Sequence, residues 1–320
     1  MRKISAEEFE AAAATQDHNS ELLWLLGQPH LGDYLDFVKH KVVGGGDLDQ
    51  ALLADEWREA NEHYYELEQS EAGAADAAQC LPLPPKMRKL AAELKADPYF
   101  RETFDTLPTD VRMIELDKVI VSQTHVASRF SEARARGLGP DPDPVSLFRF
   151  CLPLERTLPP VRIQRISSDR FIFSSPSTDL RAHEPCLLRP DQIANLSSFG
   201  PIAGVIGLMV GFGSNFLSVI KSDNRMVLHN GYHRAYALRA LGITHAPAIV
   251  ETVTRKDELR IAACTAVAEE PEFYFRAARP PMLRDFFNPK LGKRLKVRPM
   301  ETAVEVEFKM RSWTTTDWSD

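Results

Sequence analysis

The run from Met226 to Glu251 constrains this chain more than any other stretch. Before it, Phe216 to Ile220 reads as a short strand and Lys221 to Arg225 as a polar turn. Met226 to His229 is the returning strand. After Asn230-Gly231 the apolar spacing becomes helical, with Ala235, Leu238 and Leu241 on one stripe, and Gly242 sits where a helix-ending glycine belongs. Ala246 to Val250 then reads as another strand. Asn-Gly is ordinarily a hairpin-turn signal, but ten good helix formers follow it here. Asn230 is therefore read as the helix N-cap, and Gly231 as the point where backbone can approach a ligand.

Such a helix start is an anion site, because its first amides lack partners and its dipole favours negative charge. His233 and Arg234 fall in the first turn, where a cation gains nothing from the dipole. Arg can grip a phosphate with two parallel hydrogen bonds and His can donate one. Asn230, Gly231, Tyr232, His233 and Arg234 are the expected phosphate-holding residues, against the alternative of an exposed arginine and a packed histidine on an ordinary helix.

The run Leu228-His229-Asn230-Gly231-Tyr232-His233-Arg234, its helix ending in Leu241-Gly242, and the strand Ala246-Pro247-Ala248-Ile249-Val250 together resemble the signature of the ParB/sulfiredoxin superfamily. Met113 to Val119 is similar to the opening strand of that fold, so the resemblance covers roughly residues 112–251, interrupted by an insertion. It implies nucleotide binding at the loop, with ATP or CTP as cofactor and Mg²⁺ beside it. Sulfiredoxins carry a cysteine where this chain has Tyr232, so their chemistry is not expected. ParB proteins continue into a helix-turn-helix, which does not follow Glu251. Free-serine kinases have an Asp-Gly-His-His-Arg loop and a catalytic glutamate after the first strand pair. The corresponding region here is Ser122-Gln123-Thr124-His125. His125 is the candidate base in its place, its ordinary pKa suiting proton transfer near neutrality, and Glu115 and Asp117 are alternative carboxylates.

Elsewhere the chain is less specific. The first hundred residues read as helical: a capped start at Ser5, a dense apolar group at Leu22 to Leu26, a helix from Leu31 to Val43 and a long one from Asp47 to Ser70. The long helix carries Glu59, Glu62, His63 and Glu66, read as a solvated acidic face rather than a metal site. Val161 to Ile166 and Phe171 to Phe173 alternate as a hairpin, a helix is expected after Asp191, and Val304 to Met310 reads as a terminal strand before a loose tail from Thr314. Lys290, Lys293, Arg294, Lys296 and Arg298 form a basic cluster expected to meet the acidic N-terminal helices. The uncharged run from Gly200 to Ile220 is read as buried core, since Pro201, Ser214, Asn215 and Ser218 interrupt a membrane span.

The fold class expected is α+β: a helical region over 1–108, a mixed-sheet domain over 109–255 with an insertion at about 128–200, and a C-terminal extension over 256–320. A net charge of −6 argues against coating of nucleic acid. Four scattered cysteines and an acidic start with no apolar leader point to the cytoplasm. The expected activity is NTP hydrolysis or phosphorylation of a small-molecule acceptor. The alternative is a non-catalytic regulator responding to a nucleotide or nucleic acid.

Overall fold

A computed structural model describes residues 21–28, 30–154, 158–177, 179–193 and 200–314. They form two compact units, residues 21–154 with 214–299 and residues 158–213 with 300–314. The helix expected from Ser5, the body of the one expected after Asp191 and the end of the tail lie outside the described residues.

The protein is α+β. The larger unit begins with β1 (Glu21–Leu25), α1 (Leu31–Lys41), α2 (Gln50–Glu71), β2 (Cys80–Leu81), α3 (Pro85–Ala96) and α4 (Pro98–Thr103). Next come β3 (Thr109–Glu115), β4 (His125–Ala127), α5 (Ser128–Leu138) and α6 (Pro144–Cys151). The smaller unit supplies β5 (Arg162–Arg165), β6 (Arg170–Ser175), β7 (Leu180–Ala182), β8 (Cys186–Leu188), β9 (Val205–Gly207) and β10 (Val210–Phe212). The larger unit resumes with β11 (Ser218–Ser222), β12 (Arg225–Asn230), α7 (Tyr232–Ala240), β13 (His245–Thr252), α8 (Lys256–Ala262), α9 (Thr265–Glu269), α10 (Pro271–Arg276) and β14 (Gly292–Lys296). The last strand, β15 (Thr302–Glu307), belongs to the smaller unit.

The main sheet runs β12-β11-β13-β3-β2. The β11–β12 hairpin leads through α7 into β13, which lies parallel to β11, Ser218 opposite Ile249. On its other side β13 is antiparallel to β3, with Pro247 opposite Met113. Ile114, Ile220, Met226, Leu228 and Leu238 are fully buried between this sheet and its helices. Helix α7 buries almost its whole length, against α5 among others.

The dense apolar group at Leu22 to Leu26 is mostly strand, not helix. β1 is the middle of a second sheet, β14-β1-β4, where Leu22 to Leu25 are buried. A continuous apolar run has no helical period, and a short strand covered on both faces needs that composition. The basic C-terminal segment is the partner of this strand: Arg294 meets Glu21 at 2.8 Å and Glu132 at 3.3 Å, and Lys293 pairs with Glu56 on α2. The acidic face of α2 likewise has a local role, His63 bonding Glu66 at 2.8 Å and Asn288 at 3.1 Å.

The smaller unit starts later than the expected insertion. Helices α5 and α6 belong to the larger unit, because α5 packs on α7 and α6 on β13. The hairpin of β5 and β6 forms as expected and β15 extends it, Val304 opposite Phe173. The run from Gly200 is not buried core throughout: Ile206, Leu208 and Met209 are exposed. β9 and β10 are three residues long and sit in two-stranded ribbons, which offer little interior. No helix among the described residues is long and apolar enough to cross a membrane.

Candidate functional site

The turn between β12 and α7 is shaped by Gly231, whose φ of +90° places it in the left-handed region. A Cβ at this position would lie 2.9 Å from Leu217 Cδ1 and 3.0 Å from its Cα, so glycine is required by conformation and by contact. Asn230 is the last residue of β12 rather than the N-cap, and Gly231 takes the cap position. The Asn230 side chain instead braces the turn. Its Oδ1 accepts from Gly231 N at 2.7 Å, and its Nδ2 donates to the Ser214 carbonyl. No side chain caps α7. The Gly231 carbonyl accepts from Arg234 N and Ala235 N, both at 2.9 Å. The amides of Tyr232 and His233 therefore lie at the open end of the helix, with no acceptor inside it.

Tyr232 was a candidate ligand contact, but it points into the protein. Its hydroxyl donates to the Leu228 carbonyl at 2.7 Å and accepts from Ser122 N at 3.1 Å and Gln123 N at 3.3 Å. Burial pushes its pKa up to about 12. It acts as a brace, tying the Ser122–His125 segment to the loop.

His125, the candidate base, therefore does lie in this neighbourhood. Its ring stacks on Trp24 with centroids 5.2 Å apart and planes 5° from parallel, and burial lowers its pKa to about 4. His233 packs edge-on against Phe130 at 5.3 Å. Its pKa is also lowered to about 4, first by burial and then by His125, Arg134 and Arg234. Both imidazoles are neutral at pH 7.

Arg234 is 5% exposed. Its Nη2 donates to Asn215 Oδ1 at 2.6 Å, while its Nε is buried with no acceptor among the described residues. Burial, and next Arg134, lower its pKa to about 10, so it remains charged. The nearby Cys151 thiol is pushed up by its own burial and supplies no negative charge. Arg134 reaches the site from α5, its guanidinium 4.9 Å above the Phe130 ring. Among the described residues no carboxylate forms an ion pair with Arg134 or Arg234, and α5's own Glu132 is held by Arg294. Arg134 thus stands close enough to Arg234 to lower its pKa, and neither guanidinium has a carboxylate partner among the described residues.

The other two candidate acids are placed elsewhere. Glu115 pairs with Lys118 at 3.0 Å and accepts from Gln79 N at 3.1 Å. Asp117 is held by Arg239 in the last turn of α7. That end is roughly 12 Å from the loop, at about 1.5 Å per helical residue. Neither is brought to the turn before α7. Arg134 and Asn215 were not singled out from sequence. Arg134 follows Phe130 by four residues, one helical turn on, and Asn215 stands in the sequence only as an interruption of an apolar run. No group of three or more His, Cys, Asp or Glu able to hold a metal occurs among the described residues.

The chain matches no protein-family model, no curated protein and no solved structure.

Proposed function

We propose that the open end of α7 binds the phosphate of a nucleotide, and that the chain is a nucleotide-responsive protein of the ParB/sulfiredoxin type. The observation that carries this reading is Arg234: a buried guanidinium at a helix N-terminus, with one donor unsatisfied and no carboxylate partner among the described residues. A buried donor without an acceptor costs about 1–3 kcal/mol, more when charged, and an anion at this point would offset that cost. Gly231, the amides of Tyr232 and His233, Arg234 and Arg134 are the proposed binding residues. The four cysteines are free thiols, which suits the cytoplasmic setting that is part of this proposal.

The placement of the acids favours response over turnover. Phosphoryl transfer to a small-molecule acceptor, or NTP hydrolysis, generally needs a group to position or deprotonate the nucleophile. Glu115 and Asp117 are engaged at the far end of α7, leaving His125, a weak base with its lowered pKa. A regulator that senses ATP or CTP, with or without a nucleic-acid partner, is the reading these observations support best.

Thermal unfolding of wild type and Arg234→Ala with ATP, CTP, GTP and UTP, each with Mg²⁺, tests the proposal. A ligand that binds only the folded state adds about 2.7 kcal/mol at a hundred times its dissociation constant. One nucleotide is expected to raise the wild-type midpoint and not that of the variant, without release of phosphate over the same period. Steady phosphate release by wild type would establish the enzymatic reading. No shift with any nucleotide would remove both.

A further inference from the structure

We infer that the α7 site takes its phosphate as a bare dianion, held by the two arginines without a divalent cation. This rests on the phosphate-binding reading above and departs from the Mg²⁺ that the family resemblance implies.

The inference follows from the charges around the loop. Arg234 and Arg134 bring two positive charges, and among the described residues no carboxylate pairs with either. Cys151 is a neutral thiol, His125 and His233 are neutral rings, and Asn215 offers an amide oxygen already bonded to Arg234. Glu21 and Glu132 are committed to Arg294, and Glu115 and Asp117 are held at the far end of α7 by Lys118 and Arg239. A dianionic phosphate balances this surplus by itself. The amides of Tyr232 and His233 and the unsatisfied Nε of Arg234 are the donors it would meet.

A phosphate–Mg²⁺ complex fits the same surroundings poorly. Mg²⁺ is a hard cation that takes oxygen ligands, commonly one or two carboxylates besides the phosphate. Among the described residues no uncommitted carboxylate stands here to receive it. A dication would also partly cancel the negative charge for which two desolvated guanidiniums are arranged. Phosphate-binding sites can neutralise charge with a metal or with arginines, and the donors present belong to the second kind. Arg134 then has a defined task. It neutralises the second charge on the phosphate and should matter more for a dianion than for a monoanion.

Isothermal titration of inorganic phosphate into the full chain separates the possibilities. It is run once in EDTA and once in millimolar Mg²⁺, for wild type, Arg134→Met and Arg234→Met, with circular dichroism to confirm that the variants fold. Wild type is expected to bind with the same affinity, within about twofold, in both solutions. Each variant should bind about tenfold more weakly or worse, the loss expected for one charge-assisted hydrogen bond. Sulfate, a dianion at all working pH values, should compete, and acetate should not. Binding in Mg²⁺ but not in EDTA would overturn the metal-free inference while leaving the phosphate site intact. Equal binding by wild type and Arg134→Met would overturn the two-arginine account. Absence of binding in both solutions would overturn the inference together with the reading it rests on.

Discussion

Arg279 and Arg234 lie in the same unit and are almost equally buried, at 6% and 5% exposure. Their surroundings are opposite. Arg279 is gripped by Asp285 through two hydrogen bonds of 2.5 and 2.6 Å and by Glu71 at 2.9 and 3.1 Å, and its guanidinium lies over the Tyr64 ring. Burial alone would lower its pKa, but these carboxylates more than reverse the effect. Arg225, also buried, is held in the same manner by Asp76 and the Ala277 carbonyl. Arg234 has one neutral partner, an idle Nε and a second arginine close enough to lower its pKa. Where this chain uses a buried arginine for architecture it supplies the acid. At the α7 loop no acid is supplied among the described residues, and that difference is the basis for proposing a binding position there.

The comparison can be broken most forcefully at Arg279. Arg279→Met strands Asp285, which is 2% exposed, and is expected to cost about 3–5 kcal/mol in chemical denaturation. A loss below 1 kcal/mol would mean that the ion-pair cluster is not what holds α2 to the C-terminal segment. Next in size is Gly231→Ala, which combines a left-handed backbone with a contact to the Leu217 main chain. A destabilisation of about 2–4 kcal/mol is expected, with loss of any phosphate response. An unchanged midpoint would show that the turn can relax.

The histidines give a pH test. Both rings titrate near 4 in the folded chain against about 6.5 when unfolded. Between those values the unfolded chain binds protons that the folded chain does not. The contribution is therefore complete above pH 6.5 and is lost as the pH falls through 4, by roughly 3 kcal/mol per ring at the limit. His125→Phe, which keeps the stack on Trp24, should flatten the acid limb of a stability–pH curve; a limb of unchanged slope would place the proton uptake elsewhere.

Arg234→Met sharpens the contrast from the other side. Removing an uncompensated buried charge should leave ligand-free stability within about 1 kcal/mol of wild type or raise it, measured by urea denaturation beside Arg279→Met. If both variants lose several kcal/mol, Arg234 is a structural residue too. The smallest effect is expected at the surface pair of Lys293 with Glu56, where Lys293→Ala should cost less than about 1 kcal/mol.

Much of the loop was legible because its signals are local. The strand before Asn230, the helix after Gly231 and the strand through Ile249 all announce themselves by period and by glycine placement. The cap slipped by one residue, since Asn230 and Gly231 both suit that position and the backbone conformation decides between them. β1 was missed because Leu22 to Leu25 carry no period, and its partners β4 and β14 are far away in sequence. The charge at the site was illegible for a similar reason. Arg134 and Asn215 meet Arg234 only through the packing of α5 on α7 and the path of the segment before β11, while Glu115 and Asp117 look available until Lys118 and Arg239 are seen beside them.

The most direct test of the account is the Nε–H of Arg234 itself, observed by nitrogen–proton NMR and assigned by its absence from the Arg234→Lys spectrum. On titration with phosphate this resonance is expected to move downfield and saturate, while the Nε–H of Arg279, already bonded to Glu71, stays in place. A titration in which the Arg234 signal does not move, at phosphate concentrations that shift other resonances, would contradict the assignment of the binding site to α7.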